Sequence, residues 1–233
     1  MITQIYSIHS IEEASLCLKA GVDHIGVALD TGMGCPREVD FPTCKAIFDY
    51  IGDKAKKILI IVSLDETPVL ENVKALRPDI IHICGNEFRA SKELCDKLRA
   101  IDPQIKIMQA VGLPNPNAKE EALYFASFCD YLILDTINPA ITSIGVAGKT
   151  HSWEDDKAIV DLVKPTKVII AGGLGPDNVY DAIKAIHPYG VDSFTKTSDK
   201  VDGVLLGKNE EKVMKFVEEA RRAFNELKDE MKQ

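Results

Sequence analysis

The sequence predicts an α/β protein folded as a single (β/α)8 TIM barrel, one domain over residues 1–233. Three observations carry this expectation. Short apolar runs alternate with amphipathic segments from one end of the chain to the other. The runs are rich in Ile, Val and Leu, as strands buried on both faces are. About eight such units fit a length that is ordinary for one closed barrel. The rival architecture is an open doubly wound sheet, which usually has a Gly-rich first turn. The first turn here, Ser7-Ile8-His9-Ser10, contains no glycine.

The expected strands are Gln4 to Ile8, His24 to Leu29, Lys57 to Ser63, Ile80 to Cys84, Ile105 to Val111, Tyr131 to Asp135, Lys167 to Ala171 and Val191 to Ser193. After the first, Ser10 suits an N-cap with glutamates close behind, and Gly21 stands where that helix should stop. Thr67-Pro68 starts another helix and Arg77-Pro78 ends it. Pro176-Asp177-Asn178 opens the helix behind the seventh strand. The last helix, from Glu210 to roughly Lys228, carries an apolar stripe of Val213, Phe216, Val217, Ala220 and Phe224.

Hydrophobic residues make up 45% of the chain and charged residues 27%, the balance of a globule with a large core. The net charge of −8 and the lack of a basic patch argue against nucleic acid as a partner. No apolar run is long enough to span a bilayer, so no membrane association is expected. No signal peptide is visible, and the expected location is cytoplasmic. The cysteines Cys17, Cys35, Cys44, Cys84, Cys95 and Cys129 form no CxxC pair, so neither a zinc site nor a disulfide framework is expected.

In a barrel of this kind, sites gather at the C-terminal ends of the strands. The stretch from Tyr131 to Val191 is the richest in such positions. Tyr-Leu-Ile-Leu-Asp ends in an acid at Asp135, at the rim of the sheet. Lys167 to Ala171 runs into Gly172-Gly173-Leu174 ahead of a helix start. Backbone N–H groups there point outward and no Cβ blocks an anion, so Gly172 and Gly173 read as a phosphate seat. Between them lies a Gly-dotted segment with Gly145, Gly148-Lys149-Thr150 and Trp153, and the stretch from Thr136 to Ser152 fits a lid. An acid and a phosphate seat on successive strands suggest proton chemistry on a phosphorylated small molecule.

These residues resemble those of the phosphoribosylanthranilate isomerase family over nearly the whole chain. The quoted motifs are Leu-Ile-Leu-Asp-Thr, Gly-Lys-Thr-x-x-Trp, Ala-Gly-Gly-Leu-x-Pro-Asp-Asn-Val and His-Pro-Tyr-Gly-Val-Asp. Earlier echoes are Ala20-Gly21-Val22-Asp23, Cys35-Pro36-Arg37 and Ile81-His82-Ile83-Cys84-Gly85-Asn86-Glu87. The resemblance implies a cofactor-independent aldose–ketose isomerase of the Amadori type, serving tryptophan biosynthesis. It makes Asp135 the general acid that protonates the ring oxygen. It gives Arg37 the substrate's carboxylate, and Gly172 and Gly173 part of the phosphate. The family's base is a first-strand cysteine, and here Tyr6 stands at that position.

Further candidates come from the rim. Lys196, on the eighth loop, offers a point charge to the phosphate. His82 and Cys84 lie two apart on one strand, so they face the same side, and a Cys84 thiolate assisted by His82 is a candidate base. Tyr6 is a poor base but a possible hydrogen-bond donor to substrate, and Gln109 suits hydroxyl recognition. Alternative readings are a sugar-phosphate aldolase or epimerase, with Lys196 a remote Schiff-base candidate, or a ligand-binding relative without catalysis. The expected partner is a phosphorylated small molecule, and the expected assembly is a monomer or homodimer.

Overall fold

The computed structural model describes residues 1–137, 144, 150–202 and 204–230. Gly145, Gly148, Lys149 and most of the expected lid lie outside them. The chain alternates β1 (Ile2–Ile5), α1 (Ile11–Ala20), β2 (His24–Ala28), α2 (Phe41–Ile51), β3 (Lys56–Ile61), α3 (Glu66–Leu76), β4 (Ile80–Ile83) and α4 (Lys92–Ile101). It continues with β5 (Lys106–Leu113), α5 (Ala118–Ala126), β6 (Tyr131–Thr136), α6 (Trp153–Leu162), β7 (Lys167–Ile170), α7 (Val179–Ile186) and β8 (Gly190–Ser193). After a 3-10 turn over Thr195–Thr197 come β9 (Ser198–Val201), β10 (Val204–Lys208) and α8 (Glu210–Glu230). Strands β1 to β8 pair in parallel, in sequence order, into a closed barrel.

Local chemistry sets the helix ends. The Ser10 hydroxyl accepts the Glu13 N–H, and Gly21 takes the left-handed conformation at φ 75° that stops α1. Asp65 caps α3, which starts at Glu66, one residue before the Thr67-Pro68 start read from the sequence, and Arg77 ends it with φ 48°. The first strand ends at Ile5, short of the expected Ile8, because Ile8 donates back to Gly26 as the chain turns toward α1. The β9–β10 hairpin was not expected. Its strands are largely exposed and carry only the short apolar run Val204-Leu205-Leu206, although the sequence Asp202-Gly203 between them is a hairpin dipeptide.

Register decides which side chains fill the barrel. Gln4 pairs with His24 and with Asp192, Ile60 with His82, His82 with Met108, and Gly112 with Asp135. With the two-residue period of a strand, this points Gln4, Tyr6, Ile60, His82, Cys84, Met108, Ile133, Asp135 and Asp192 inward. The alternate residues, Ile25, Val27, Leu59, Ile61, Ile81 and Ile83 among them, are fully buried against the helices.

Candidate active site

At the rim, β6, β7 and β8 end around one recess, about 270 Å³ of open space lined by Asp135, Gly172, Gly173, Leu174, Asp192, Ser193, Phe194 and Thr195. The two glycines adopt φ 81° and 68°, where a side chain is strained. Space enforces the same choice at Gly172, since a Cβ there would stand 2.5 Å from the Thr136 hydroxyl and 2.9 Å from Nδ1 of His151. Asn178 ties the loop from both sides, donating to the Gly173 carbonyl at 3.2 Å and accepting the Gly175 N–H at 2.9 Å. The Ser193 hydroxyl donates to the Leu174 carbonyl at 2.7 Å and locks the seventh loop to the eighth strand. Among the described residues, the N–H groups of Gly172 and Gly173 meet no backbone carbonyl, as an anion seat requires.

Asp135 accepts the Thr136 N–H at 2.7 Å. The residue keeps some solvent contact, but barrel atoms surround the carboxyl, and burial pushes its pKa up to about 7 against the opposing pull of the Thr136 N–H and of His151. Asp135 therefore keeps its proton through the mildly acidic range and begins to lose it around neutral pH. Behind it stands a buried pair: Nε2 of His151 lies 2.7 Å from Asp156, and its Nδ1 lies 2.9 Å from the Thr136 hydroxyl. The His151 and Asp156 side chains are only 4% and 0% exposed. This pair buttresses both the acid and the glycine turn, and the sequence reading missed it. The signal available was a histidine and an aspartate around the start of α6.

Asp192 was missed as well. It closes the quoted His-Pro-Tyr-Gly-Val-Asp motif and points inward from β8, 4% exposed. Burial, and then the negative charge of Asp135, raise its pKa well above the usual carboxylate range. One of its oxygens, Oδ1, is buried without a partner among the described residues.

Tyr6, His82 and Cys84 meet in the barrel interior beside this recess. The Tyr6 ring lies over Gly26, where a Cβ would come within 2.2 Å of it, and its hydroxyl lies 3.5 Å from the Met108 sulfur. It stacks near His82, with ring centroids 5.5 Å apart. Burial, then the charges of Asp192, Cys84 and Asp135, push the Tyr6 phenol well above its usual value of about 10. Burial lowers His82 to about 3, and both its ring nitrogens lack partners among the described residues. Burial also raises the Cys84 thiol well above its ordinary range, with neighbouring negative charges adding to it. Cys84 is thus a neutral thiol next to a neutral imidazole, which removes the physical basis for a thiolate base.

The other expected contacts divide. Arg37 sits in the β2–α2 connection with φ 62°, and its side chain is 8% exposed. One guanidinium nitrogen donates to Glu13 at 2.7 Å and also meets His9, while Nε and the other terminal nitrogen are buried without partners. Gln109 is fully buried. Its amide is spent on the backbone of Ile83, Ala110 and Ala90, so it holds the β4–α4 connection rather than the recess. Lys196 is exposed, its Cβ packs where Gly175 leaves room, and it does not line the recess.

Two other depressions help fix the site. One, about 490 Å³, opens at the β2–β4 side of the mouth between Met33, Val62 to Leu64 and Gly85 to Glu87. A broader groove of about 1040 Å³ runs from Thr150 to Glu154 past Ala185, but it gathers helix-surface side chains with only His151 buried, so size does not select the site. Among the described residues no cluster of His, Cys, Asp and Glu is arranged to hold a metal ion, and no helix is long and apolar enough to cross a membrane.

The fold is that of a barrel enzyme, and at its mouth a carboxyl with a raised pKa stands beside a positive-φ glycine turn. The profile of the family described as N-(5'phosphoribosyl)anthranilate (PRA) isomerase matches residues 51–219. A protein of Methanosarcina mazei named N-(5'-phosphoribosyl)anthranilate isomerase 2 is 36% identical over 231 residues, covering 97% of this chain and 96% of its own. The solved phosphoribosyl anthranilate isomerase of Thermotoga maritima superposes with a TM-score of 0.77 at 22% identity, over 95% of this chain and all (100%) of that one. Another solved member, in complex with reduced 1-(o-carboxyphenylamino)-1-deoxyribulose 5-phosphate, gives 0.74 at 21% identity over 95% and 100% of the two chains. This chain belongs to the phosphoribosylanthranilate isomerase family.

Proposed function

We propose that this protein catalyses the Amadori-type isomerisation of phosphoribosylanthranilate, the aldose-to-ketose step that its named relatives imply. Asp135 supplies the acid. In the protonated form that its raised pKa keeps populated up to about neutral pH, it gives its proton to the ribosyl ring oxygen as the C1–O bond breaks and the nitrogen lone pair forms the C1=N iminium. The observation that carries this reading is that Asp135, with its pKa raised to about 7, shares one recess with the strained Gly172-Gly173 turn. The turn binds the phosphate through backbone N–H groups, as does the start of the turn at Thr195. Arg37, held by Glu13 but with two unpartnered buried nitrogens, suits the anthranilate carboxylate. The backbone and side-chain donors of the recess are enough for ring opening, which needs no electron carrier.

The test is direct. Purified protein should convert phosphoribosylanthranilate, followed by loss of its fluorescence. Asp135→Asn should lower kcat by roughly a hundredfold to ten-thousandfold while the reduced product analogue still binds. A wild-type protein inert toward this substrate, or an unchanged kcat in the variant, would remove the reading.

A further inference from the structure

An Amadori rearrangement needs a base as well as an acid, and the first strand offers Tyr6 where the family has its cysteine. The Tyr6 phenol is buried against Met108 and Gly26, and the Cys84 thiol and His82 imidazole sit in apolar surroundings that hold them neutral. One further inward group lines the recess itself. Asp192 ends β8 across from Asp135, and its Oδ1 is buried with no partner among the described residues. A buried carboxylate oxygen left unsatisfied costs free energy unless a ligand or proton meets it. Resting on the isomerase reading above, we propose that Asp192 is the general base that takes the C2 proton, in place of the cysteine.

The charges around Asp192 set its ionisation. Asp135 faces it from β6, Tyr6 from β1 and Lys208 from β10. Burial and the negative charge of Asp135 disfavour the ionised form of Asp192, and the positive charges of Lys208 and of the bound iminium work the other way. The Lys208 ammonium donates to the Phe194 carbonyl at 2.9 Å and to the Ser198 hydroxyl at 3.2 Å, at the end of the strand that carries Asp192. Burial lowers Lys208 to about 7, so it lends a positive charge only in the range where the two carboxyl groups work.

The steps balance without a co-reactant. After ring opening Asp135 is a carboxylate and the substrate an iminium. Asp192 removes the C2 proton. The C2–H electron pair becomes the C1=C2 bond, and the C1=N pair returns to nitrogen. Asp192 then delivers its proton to C1 as the electrons of the O2–H bond form the C2 carbonyl. The O2 proton passes to Asp135, and both carboxyl groups regain their starting states. One base thus serves both C2 and C1, so it also exchanges the C1 hydrogens of the aminoketose with solvent.

Asp192→Asn and Asp192→Glu, each checked for folding by its binding of the reduced product analogue, separate the outcomes. The probe is 1-(o-carboxyphenylamino)-1-deoxyribulose 5-phosphate in deuterium oxide, with C1 exchange read by proton NMR. Asp192→Asn should slow both turnover and exchange by roughly a hundredfold or more while binding persists, and Asp192→Glu should recover part of the loss. Exchange in Asp192→Asn within about threefold of wild type overturns the assignment, whichever way the isomerase test falls. A wild-type protein that exchanges C1 hydrogens but gives no net conversion leaves Asp192 as base and removes only the isomerase reading. Absence of exchange in a wild type that converts the substrate overturns the assignment of Asp192 and leaves the isomerase reading standing.

Discussion

On the β6–β8 side of the barrel mouth, buried polar groups are linked to one another: Asp156 to His151, His151 to Thr136, Thr136 to Asp135, and Ser193 to Leu174. On the β1–β4 side, Tyr6, His82 and Cys84 fill the interior through packing, and the imidazole has no hydrogen-bond partner among the described residues. The barrel offers both sides the same kind of inward position. The difference lies in what the positions are asked to do. Fixing a carboxyl and a glycine turn in place takes oriented dipoles and charges, and of the buried side-chain atoms there only Asp156 Oδ2 and Asp192 Oδ1 are left without partners among the described residues. The opposite side here demands volume, and a ring over Gly26 supplies it. Most motifs shared with the family lie on the first side, Cys35-Pro36-Arg37 being an exception, and the departures fall on both, at Tyr6, His82 and Cys84 on the second and at Phe194 to Thr197 on the first.

This contrast can be broken by mutation, most sharply at Asp156. Removing one partner of a buried ion pair leaves the other uncompensated, so Asp156→Ala should lose about 3–5 kcal/mol in urea unfolding and depress turnover by disturbing Thr136. A loss under about 1 kcal/mol would mean that the polar side is no more interdependent than the packed side.

A pH-dependent effect comes next. The folded-state pKa of Asp135 is raised from 3.8 to about 7, so the native chain holds this proton longer than the unfolded chain does. Stability contributed here is therefore lost as pH rises from about 4 to 7, and the deficit is constant above that. Asp135→Asn should accordingly melt higher than wild type at pH 8, and the two should converge at pH 4. Wild-type kcat should fall as pH climbs through about 7, because the acid loses its proton. Parallel melting curves at both pH values would show the carboxyl to be ordinary.

At Gly172 the expected change is smaller for the fold and specific for the ligand. Alanine at φ 81°, with its Cβ 2.5 Å from the Thr136 hydroxyl, should cost at least about 1–2 kcal/mol. KM should rise about tenfold, and competitive inhibition by inorganic phosphate should weaken in proportion. If KM holds while only stability falls, the turn is structural.

The smallest effect belongs to the packed side. His82→Leu replaces an unpartnered imidazole by an apolar group of similar size, and stability should stay within about 1 kcal/mol of wild type or increase. A large loss would reveal that His82 has a partner in the working enzyme.

Much of this molecule is legible in the chain itself. Eight apolar runs gave eight strands because a strand buried on both faces leaves no polar position to alternate with. Ser10 and Gly21 marked α1 because capping is a contact between residues near in sequence. The β9–β10 hairpin escaped because its one apolar run, Val204-Leu205-Leu206, is shorter than most of the runs read as barrel strands and mostly exposed. The roles of Gln109 and Lys196 were also out of reach, since each depends on where a flexible side chain finds its partner. Sequence alone determined the barrel, an inward carboxyl near the end of β6 and the glycine turn. It did so because strand burial, the end of a strand and a positive φ are each written locally. Only the closed sheet decided that Asp192 meets Asp135 and that His151 reaches Asp156 and Thr136 at once. It also decided that Cys84 stays a neutral thiol. Those facts rest on register and on burial from all sides, which no stretch of chain carries by itself.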